Sequence, residues 1–179
     1  MNKRKRPFVM SIAAVSGGGK TTVVKQLTKE LHNSKALFFD DYDLGGPHNF
    51  EEWIIRGANY DEWDIAPFKK DLINLIEEPL DYIVLDYPFA KMHTAGSVYI
   101  DMTVFIDTPL DVAMARRVLR DFQGKSGEEI IKDMENYIAG GRAGYLEMLK
   151  TIMLNSDLLV DGTLSVAEIV ATIKQHIKN

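Results

Sequence analysis

A glycine-rich segment stands between the first apolar run of the chain and its first amphipathic run. Residues 8–14 form a short, almost wholly apolar run, which is typical of a buried strand. Residues 20–32 place apolar side chains at helical spacing, and glycines 17, 18 and 19 lie between the two runs. A strand, a tight turn and a helix in this order begin a βαβ unit, so the segment predicts a parallel sheet covered by helices.

The rest of the chain continues this alternation. Short apolar runs at 36–39, 82–85, 102–106 and 158–160 predict further strands, and the amphipathic segments between them predict helices. In such a sheet a ligand binds beyond the carboxyl ends of the strands, so residues at strand ends carry most functional information. The expected fold class is α/β, with a central, mainly parallel five-stranded sheet.

Three local signals mark helix boundaries. Thr108 precedes a proline and is expected to cap the helix that follows it. The glycine pair Gly140-Gly141 is expected to end a helix that begins near residue 128. Ser165 with Glu168 matches a capping box, which predicts the start of the last helix.

Composition limits the classes of protein. The 179 residues fit one domain, expected over 1–179, and the chain has no cysteine for disulfides or thiolate metal sites. The net charge of −5 argues against a nucleic-acid partner, and the basic cluster Asn2-Lys3-Arg4-Lys5-Arg6 is interpreted as a solvated tail. Because neither a signal peptide nor an apolar run of about 20 residues is present, we expect a cytoplasmic protein without membrane contact.

The segment Ala14-Val15-Ser16-Gly17-Gly18-Gly19-Lys20-Thr21 matches the phosphate-loop (Walker A) pattern G-x-x-x-x-G-K-[ST], with Ala14 in place of the first glycine. Backbone N–H groups of such a loop turn toward phosphate oxygens. Lys20 is expected to bridge the β- and γ-phosphates of ATP, and Thr21 to ligate Mg²⁺. The expected fold is therefore a P-loop NTPase three-layer sandwich. The loop residues predicted to bind ATP are Ser16, Gly17, Gly18, Gly19, Lys20, Thr21 and Thr22.

Carboxylates follow two of the predicted strands. Asp40 and Asp41 end the second strand, so both are expected at the crevice that holds the phosphate loop, where one of them would act on an acceptor hydroxyl. Which of the two does so stays open. Asp86 ends the third strand, where an acid can hold Mg²⁺ or its waters. A plain turn residue is the alternative interpretation for each.

Three arginines lie within five residues of one predicted helix. Arg117 and Arg120 are candidate catalytic groups that close on the transferring phosphoryl group, and Arg116 is a candidate contact to ATP. Glycines 124 and 127 favour a mobile tip, so a helical lid is predicted over approximately residues 116–142. A solvated helix face is the alternative interpretation.

Together these motifs resemble the uridine kinase and phosphoribulokinase group of P-loop kinases, which includes nicotinamide riboside kinases and one class of pantothenate kinase. The resemblance spans nearly the whole chain and rests on the phosphate loop, Phe39-Asp40-Asp41-Tyr42 and Arg116-Arg117-Val118-Leu119-Arg120-Asp121. It implies that Asp40 is the acceptor-site base. It also implies that Tyr42, Tyr60 and Asp61 bind the substrate, the last two through ribose hydroxyls.

The chain departs from this group in two places. Only residues 77–81 join one predicted helix to the third strand, so the group's extra segment, whose β-hairpin helps to hold the pyrimidine, is missing. The arginine expected a few residues beyond Arg120 is also absent, and Lys125 is the nearest basic residue. An aromatic-rich segment could stack on a ring or belong to the core; its members are His48, Phe50, Trp53, Tyr60 and Trp63.

The sequence therefore predicts an ATP- and Mg²⁺-dependent phosphotransferase that acts on a hydroxyl of a nucleoside or similar small metabolite. A P-loop ATPase or regulatory nucleotide-binding protein without a small-molecule acceptor is the alternative. A nucleic-acid end kinase is disfavoured by the acidic charge. The identity of the acceptor, the choice between ATP and GTP, and the formation of a homo-oligomer stay open.

Overall fold

The computed structural model describes residues 6–178, and of the basic tail at residues 2–6 only Arg6 lies within them. Five parallel strands form one sheet in the order β2-β3-β1-β4-β5. This sheet confirms the predicted α/β class. The strands are β1 (Phe8–Ala13), β2 (Ser34–Phe38), β3 (Tyr82–Asp86), β4 (Met102–Asp107) and β5 (Leu158–Asp161).

Helices connect the strands, as expected for parallel pairs, which need crossover connections. The longest uninterrupted helical stretch runs from residue 127 to residue 153 and includes two wider, π-helical turns at Tyr137–Gly141 and Leu149–Met153. None of the helices within residues 6–178 is long and apolar enough to cross a lipid bilayer. The helices are α1 (Lys20–Glu30), α2 (Phe50–Ile55), α3 (Ala66–Ile76), α4 (Thr94–Ser97), α5 (Leu110–Asp121), α6 (Gly127–Asn136), α7 (Arg142–Met148) and α8 (Val166–Lys178).

The centre of the sheet is buried on both faces because the side chains of β1, β3 and β4 alternate between two cores. In β1, Val9 and Ala13 belong to a core formed with α2, α3 and the end of the long helical stretch. Met10 and Ile12 belong to a second core, formed with α1 and α8. The near-continuous apolar character of the strands follows directly from this three-layer arrangement.

The carboxyl ends of three strands lie level with one another. Ile12 of β1 and Phe38 of β2 are both in register with Asp86 of β3. The phosphate loop, the turn that contains Asp40 and the side chain of Asp86 therefore come together at one edge of the sheet.

The helix-boundary predictions had different outcomes. Ser165 and Glu168 form the predicted capping box: the Glu168 N–H donates to the Ser165 hydroxyl at 3.3 Å, and the Ser165 N–H donates to the Glu168 carboxylate at 3.0 Å. The prediction for Thr108 was wrong, because α5 begins after Pro109 without a side-chain cap. The prediction that Gly140-Gly141 ends a helix was also wrong, since the backbone stays helical through both glycines. Two interior glycines cost only about 1 kcal/mol each.

Candidate active site

The phosphate loop has the backbone conformation that its glycines allow. Gly17 and Gly19 have φ angles of +82° and +96°, and the Gly18 N–H donates to the Val15 carbonyl at 2.8 Å. No side chain caps the N-terminus of α1. The first N–H groups of that helix therefore remain available to an anionic ligand, in the direction favoured by the helix dipole.

Lys20, the first residue of α1, forms an ion pair with Asp86 at the end of β3. The Lys20 side chain is 13% exposed and the Asp86 side chain 2% exposed, so water screens this pair poorly. The structure thus joins two predicted site residues, the phosphate-binding lysine and the metal-shell acid. Thr21 and Thr22 follow directly and line the same cavity as Lys20.

The phosphate loop packs against α5 and is hydrogen-bonded to the residue that follows β4. A methyl group on Gly17 would collide with the Ala113 carbonyl oxygen of α5, so only glycine permits this approach. The buried Thr108 hydroxyl donates to the Gly18 carbonyl at 3.0 Å. The sequence offered no signal for this bond, because Thr108 looks like a helix cap when only its neighbours in the chain are considered.

The two carboxylates after β2 occupy different positions. Both lie in a 3₁₀ turn, Phe39–Asp41, but only Asp40 lines the cavity beside the phosphate loop. Asp40 is also close enough to Arg120 to contribute to the raised pKa of that guanidinium, whose main cause is the hydrogen bond to Asp121. The two aspartates, which the sequence left equivalent, are thereby distinguished by geometry.

The three arginines of α5 have three different partners. Arg120 reaches Ser16 Oγ at 3.5 Å and pairs with Asp121 at 2.6 Å, and both it and Arg116 line the cavity. Arg116 also donates to the Gly162 carbonyl at 3.0 Å. Arg117 instead pairs with Asp133 of α6 and does not line the cavity. Its position ties α5 to α6, because side chains one residue apart on a helix point in different directions.

Tyr145, which the sequence analysis did not single out, connects α7 to the phosphate loop. Its hydroxyl donates to the Ser16 carbonyl at 3.1 Å, and the ring lines the cavity. Burial raises the pKa of this hydroxyl, while the hydrogen bond to Ser16 acts in the opposite direction. The helical stretch that follows Gly127 therefore returns to the loop, beyond the predicted limit of the lid at residue 142.

One cavity of about 950 Å³ connects these groups. Its donor end is formed by the phosphate loop, α1 and α5. Its other end, called here the acceptor compartment, is formed by the Phe39–Asp41 turn, α2, the Tyr60–Glu62 turn, the loop after β3 and α7. The acceptor compartment is lined by Phe39, Asp40, Phe50, Trp53, Tyr60, Trp63, Pro88, Phe89, Gly141, Gly144, Tyr145 and Met148.

The aromatic side chains of the acceptor compartment also pack on one another. Trp63 lies 5.3 Å from Phe89 and 6.4 Å from Trp53, measured between ring centroids. Phe39 meets Phe89 edge-on at 5.1 Å. The same residues therefore pack in the core and line the cavity, and their stacking on a ligand ring stays a prediction. Of the aromatic-rich segment, only His48 does not line this cavity.

Two residues assigned to the substrate by resemblance face elsewhere. The Tyr42 hydroxyl donates to Asp71 of α3 at 2.8 Å. Burial, and to a smaller extent this hydrogen bond, raise the pKa of the Tyr42 hydroxyl. Asp61 accepts hydrogen bonds from the Thr94 N–H at 2.7 Å and the Thr94 hydroxyl at 2.9 Å. Neither side chain lines the cavity, because each satisfies a polar group of a neighbouring helix.

Tyr60 does line the cavity, but its hydroxyl is engaged. It lies 2.7 Å from Thr151 Oγ1, which itself donates to the Glu147 carbonyl. The proton of the Tyr60 hydroxyl is therefore directed at Thr151, and burial raises its pKa.

The donor set suits a magnesium ion that arrives with a nucleotide. Within residues 6–178, no group of three or more histidine and acidic side chains is arranged to hold a metal by itself. Thr21 and Asp86 supply a hydroxyl and a carboxylate next to the phosphate loop, and oxygen ligands of this kind are those that Mg²⁺ prefers.

The chain is similar to curated uridine kinases over most of its length. The uridine kinase of Halobacterium salinarum is 26% identical over 190 residues, covering 89% of this chain and 83% of the relative. That of Anoxybacillus flavithermus is 29% identical over 185 residues, covering 82% of this chain and 83% of the relative. These matches confirm the resemblance to the uridine kinases, although no family model matches the chain.

Solved structures support the fold. A possible uridine kinase from Bacillus stearothermophilus has a TM-score of 0.53 at 16% identity and covers 89% of this chain and 91% of its own. Shikimate kinase from Aquifex aeolicus has a TM-score of 0.52 at 20% identity, with 96% of both chains covered. Both neighbours are P-loop kinases, but their names give different acceptors. The likeness therefore shows the fold of this chain and does not identify its acceptor.

Proposed function

We propose that this uridine kinase-like phosphotransferase transfers the γ-phosphoryl group of ATP to a hydroxyl of a nucleoside or similar small metabolite. One observation carries the proposal: a single cavity joins an uncapped phosphate loop, with its lysine and threonine, to a compartment whose wall holds one aspartate. A donor site alone would serve any nucleotide-binding protein. The attached acceptor compartment supports transfer to a second molecule.

At the donor end, the chain binds and neutralises phosphates. The N–H groups of the loop and of the first turn of α1 would hold the phosphate oxygens, and Lys20 would move from Asp86 toward them. Thr21 and Asp86 would hold Mg²⁺, which screens the phosphate charge when bound. Arg120 and Arg116, on the opposite wall, would approach the nucleotide from the lid side.

At the acceptor end, Asp40 would orient the hydroxyl and accept its proton. Support for Asp40 over Asp41 comes from its place on the cavity wall near Arg120. The surrounding aromatic side chains would keep water away from the reacting groups, which favours transfer to the acceptor over hydrolysis. We retain Arg117 as a positioning residue that acts through Asp133.

The competing proposal is a nucleotide-binding switch or ATPase that needs no acceptor. It shares the phosphate loop but provides no reason for an aromatic compartment of this size next to Asp40. ATP turnover measured with and without a panel of nucleosides, vitamins and sugars separates the two. Turnover that none of these compounds stimulates would favour the switch.

The first prediction concerns the acceptor base. Asp40→Asn should lower kcat by about 100-fold or more, because a positioned base contributes roughly 10²–10⁴ to the rate. The Kd for ATP should stay within about threefold, since Asp40 lies outside the phosphate loop. Asp41→Asn is the matched control and should keep most activity. Equal losses in both variants, or full activity in Asp40→Asn, would sink the assignment.

A further inference from the structure

The acceptor compartment has one charged side chain among the described residues that line it, and that charge is negative. Asp40 is this residue, whereas the cationic groups of the cavity belong to α1 and α5 at the donor end. An acceptor that carries a carboxylate or phosphate would therefore lie near Asp40, and Arg120, the cation close to Asp40, already pairs with Asp121. Burying an unpaired charge of this kind is costly.

The walls of the compartment present ring faces and edges. Phe39, Trp53, Trp63 and Phe89 come from four different segments and contact one another at 5.1–6.4 Å between ring centroids. Because each ring is held by the next, the surface is preorganised rather than assembled around a ligand. A flat ring gains contact with such a surface by stacking, whichever polar atoms its edge carries.

The polar groups that could bind a diol already have partners inside the protein, and the Trp63 indole N–H, which has no hydrogen-bond partner among the described residues, is buried. Asp61 is bonded to Thr94, and the Tyr60 hydroxyl proton is directed at Thr151. The Trp53 indole N–H donates to the Asn59 carbonyl at 2.8 Å. The groups that the resemblance assigns to ribose hydroxyls are thus engaged inside the protein, and the compartment offers its carboxylate at Asp40 alone.

We infer that the acceptor is an uncharged primary alcohol recognised through the faces of a flat ring, with no requirement for a vicinal diol. This inference rests on the proposed function and narrows it. A ribonucleoside satisfies it, but so does a heteroaromatic alcohol without a sugar. The acceptor compartment selects against anionic acceptors and against sugars that carry no aromatic base.

Intrinsic fluorescence provides a site-specific test. The chain has two tryptophans, Trp53 and Trp63, and both line the compartment. Quenching is measured on the full chain with a non-hydrolysable ATP analogue and Mg²⁺ present. The probes are uridine, 2′,3′-dideoxyuridine (no diol), orotidine (a ring carboxylate) and D-ribose (no base). In parallel, kcat/KM with ATP is measured for each probe.

Binding of 2′,3′-dideoxyuridine should be within about threefold of uridine, orotidine at least about 30-fold weaker, and ribose too weak to measure. A loss of tenfold or more on removing the diol, equal binding of orotidine, or no quenching by either uncharged nucleoside would overturn the inference. In Asp61→Asn the affinity for uridine relative to that for 2′,3′-dideoxyuridine should not change. If Asp61 held the diol, this relative affinity would fall.

The two proposals fail separately. If the binding order holds but no probe is phosphorylated, the kinase proposal fails and the account of the compartment stands. If transfer occurs with the reverse order of acceptors, the kinase proposal stands and the account of the compartment fails. Phe50→Ala offers an independent check, because Phe50 is 41% exposed and its loss should weaken ring-bearing probes without unfolding the chain.

Discussion

Lys20 and Asp86 show how one ion pair can serve two states of the site. In the structure each neutralises the other in a largely buried position. Phosphates would compete with Asp86 for the lysine, and Mg²⁺ would compete with Lys20 for the carboxylate. The pair therefore leaves neither buried charge uncompensated, and both groups would be available to ligands that compete for them.

The second prediction follows at this residue scale. Asp86→Asn preserves the shape of the side chain but frees Lys20, so ATP should bind more tightly without Mg²⁺, by about tenfold. With Mg²⁺, turnover should fall by about 100-fold, because the carboxylate that holds the metal is lost. Titration calorimetry with and without Mg²⁺ measures the first effect.

Asp107→Asn is the control for this variant, since Asp107 is also an acid at a strand end but is exposed and does not line the cavity. Weaker metal-free binding in Asp86→Asn would contradict the competition between Asp86 and phosphate.

At the scale of elements, α2 and α7 pack closely and together cover the acceptor compartment. A methyl group at Gly144 would lie 2.6 Å from Phe50 Cζ, and one at Gly140 would meet the Glu51 carboxylate. The helices approach here because position 144 carries no side chain. This contact provides one wall of the acceptor compartment.

The third prediction concerns that contact. Gly144→Ala should displace the Phe50 ring into the compartment and raise the acceptor KM by about tenfold, with the KM for ATP within about twofold. Helix propensity itself favours alanine, so the fold should not suffer. Steady-state kinetics against acceptor and ATP separates the two constants.

Gly140→Ala is the matched control, because it only moves the flexible end of Glu51. The double variant Gly144→Ala/Phe50→Ala should have the same acceptor KM as Phe50→Ala alone, because the ring that an alanine at position 144 would displace is gone. An unchanged acceptor KM in Gly144→Ala would argue against this wall.

For the molecule as a whole, the cavity lies where the carboxyl ends of the strands meet the long helical stretch at residues 127–153. The phosphate loop accepts hydrogen bonds from Thr108, the residue after β4, and from Tyr145 of α7. A ligand bound there contacts groups that come together only in the folded chain, so its binding free energy adds to the stability of the native state.

The fourth prediction is a thermal shift. MgATP at about 100 times its Kd should stabilise the fold by about 2.7 kcal/mol, which for a domain of this size raises Tm by about 5–10 °C. Lys20→Ala should reduce the shift to under about 2 °C at the same concentration. Differential scanning fluorimetry checks both, and an undiminished shift in Lys20→Ala would exclude the loop as the binding site.

The strand-to-helix turn at 14–21 and the alternation of apolar runs were enough to predict the parallel sheet. These features depend on local spacing and on which faces must be buried, and both are encoded by neighbours in the chain. The same local reasoning brought Lys20 and Asp86 to one edge of the sheet, because parallel strands end on the same side.

Tertiary contacts decided the roles of particular side chains. Thr108 has the local pattern of a cap but donates to Gly18, 90 residues away, because that buried carbonyl needs a donor. Asp61 and Tyr42 match substrate residues in sequence, yet each satisfies a group on a neighbouring helix. The spacing of residues in the sequence does not predict the hydrogen-bond partners of these three side chains.

By itself, then, the sequence determined the fold class, the phosphate loop and the acids at the strand ends, all of which follow from local periodicity and turn chemistry. Only the tertiary structure distinguished Asp40 from Asp41 at the cavity, directed Arg117 to Asp133, and enclosed the acceptor compartment between α2 and α7. The physical reason is that burial and hydrogen-bond satisfaction are settled between segments distant in the chain, and a few ångströms there decide which side chain faces a ligand.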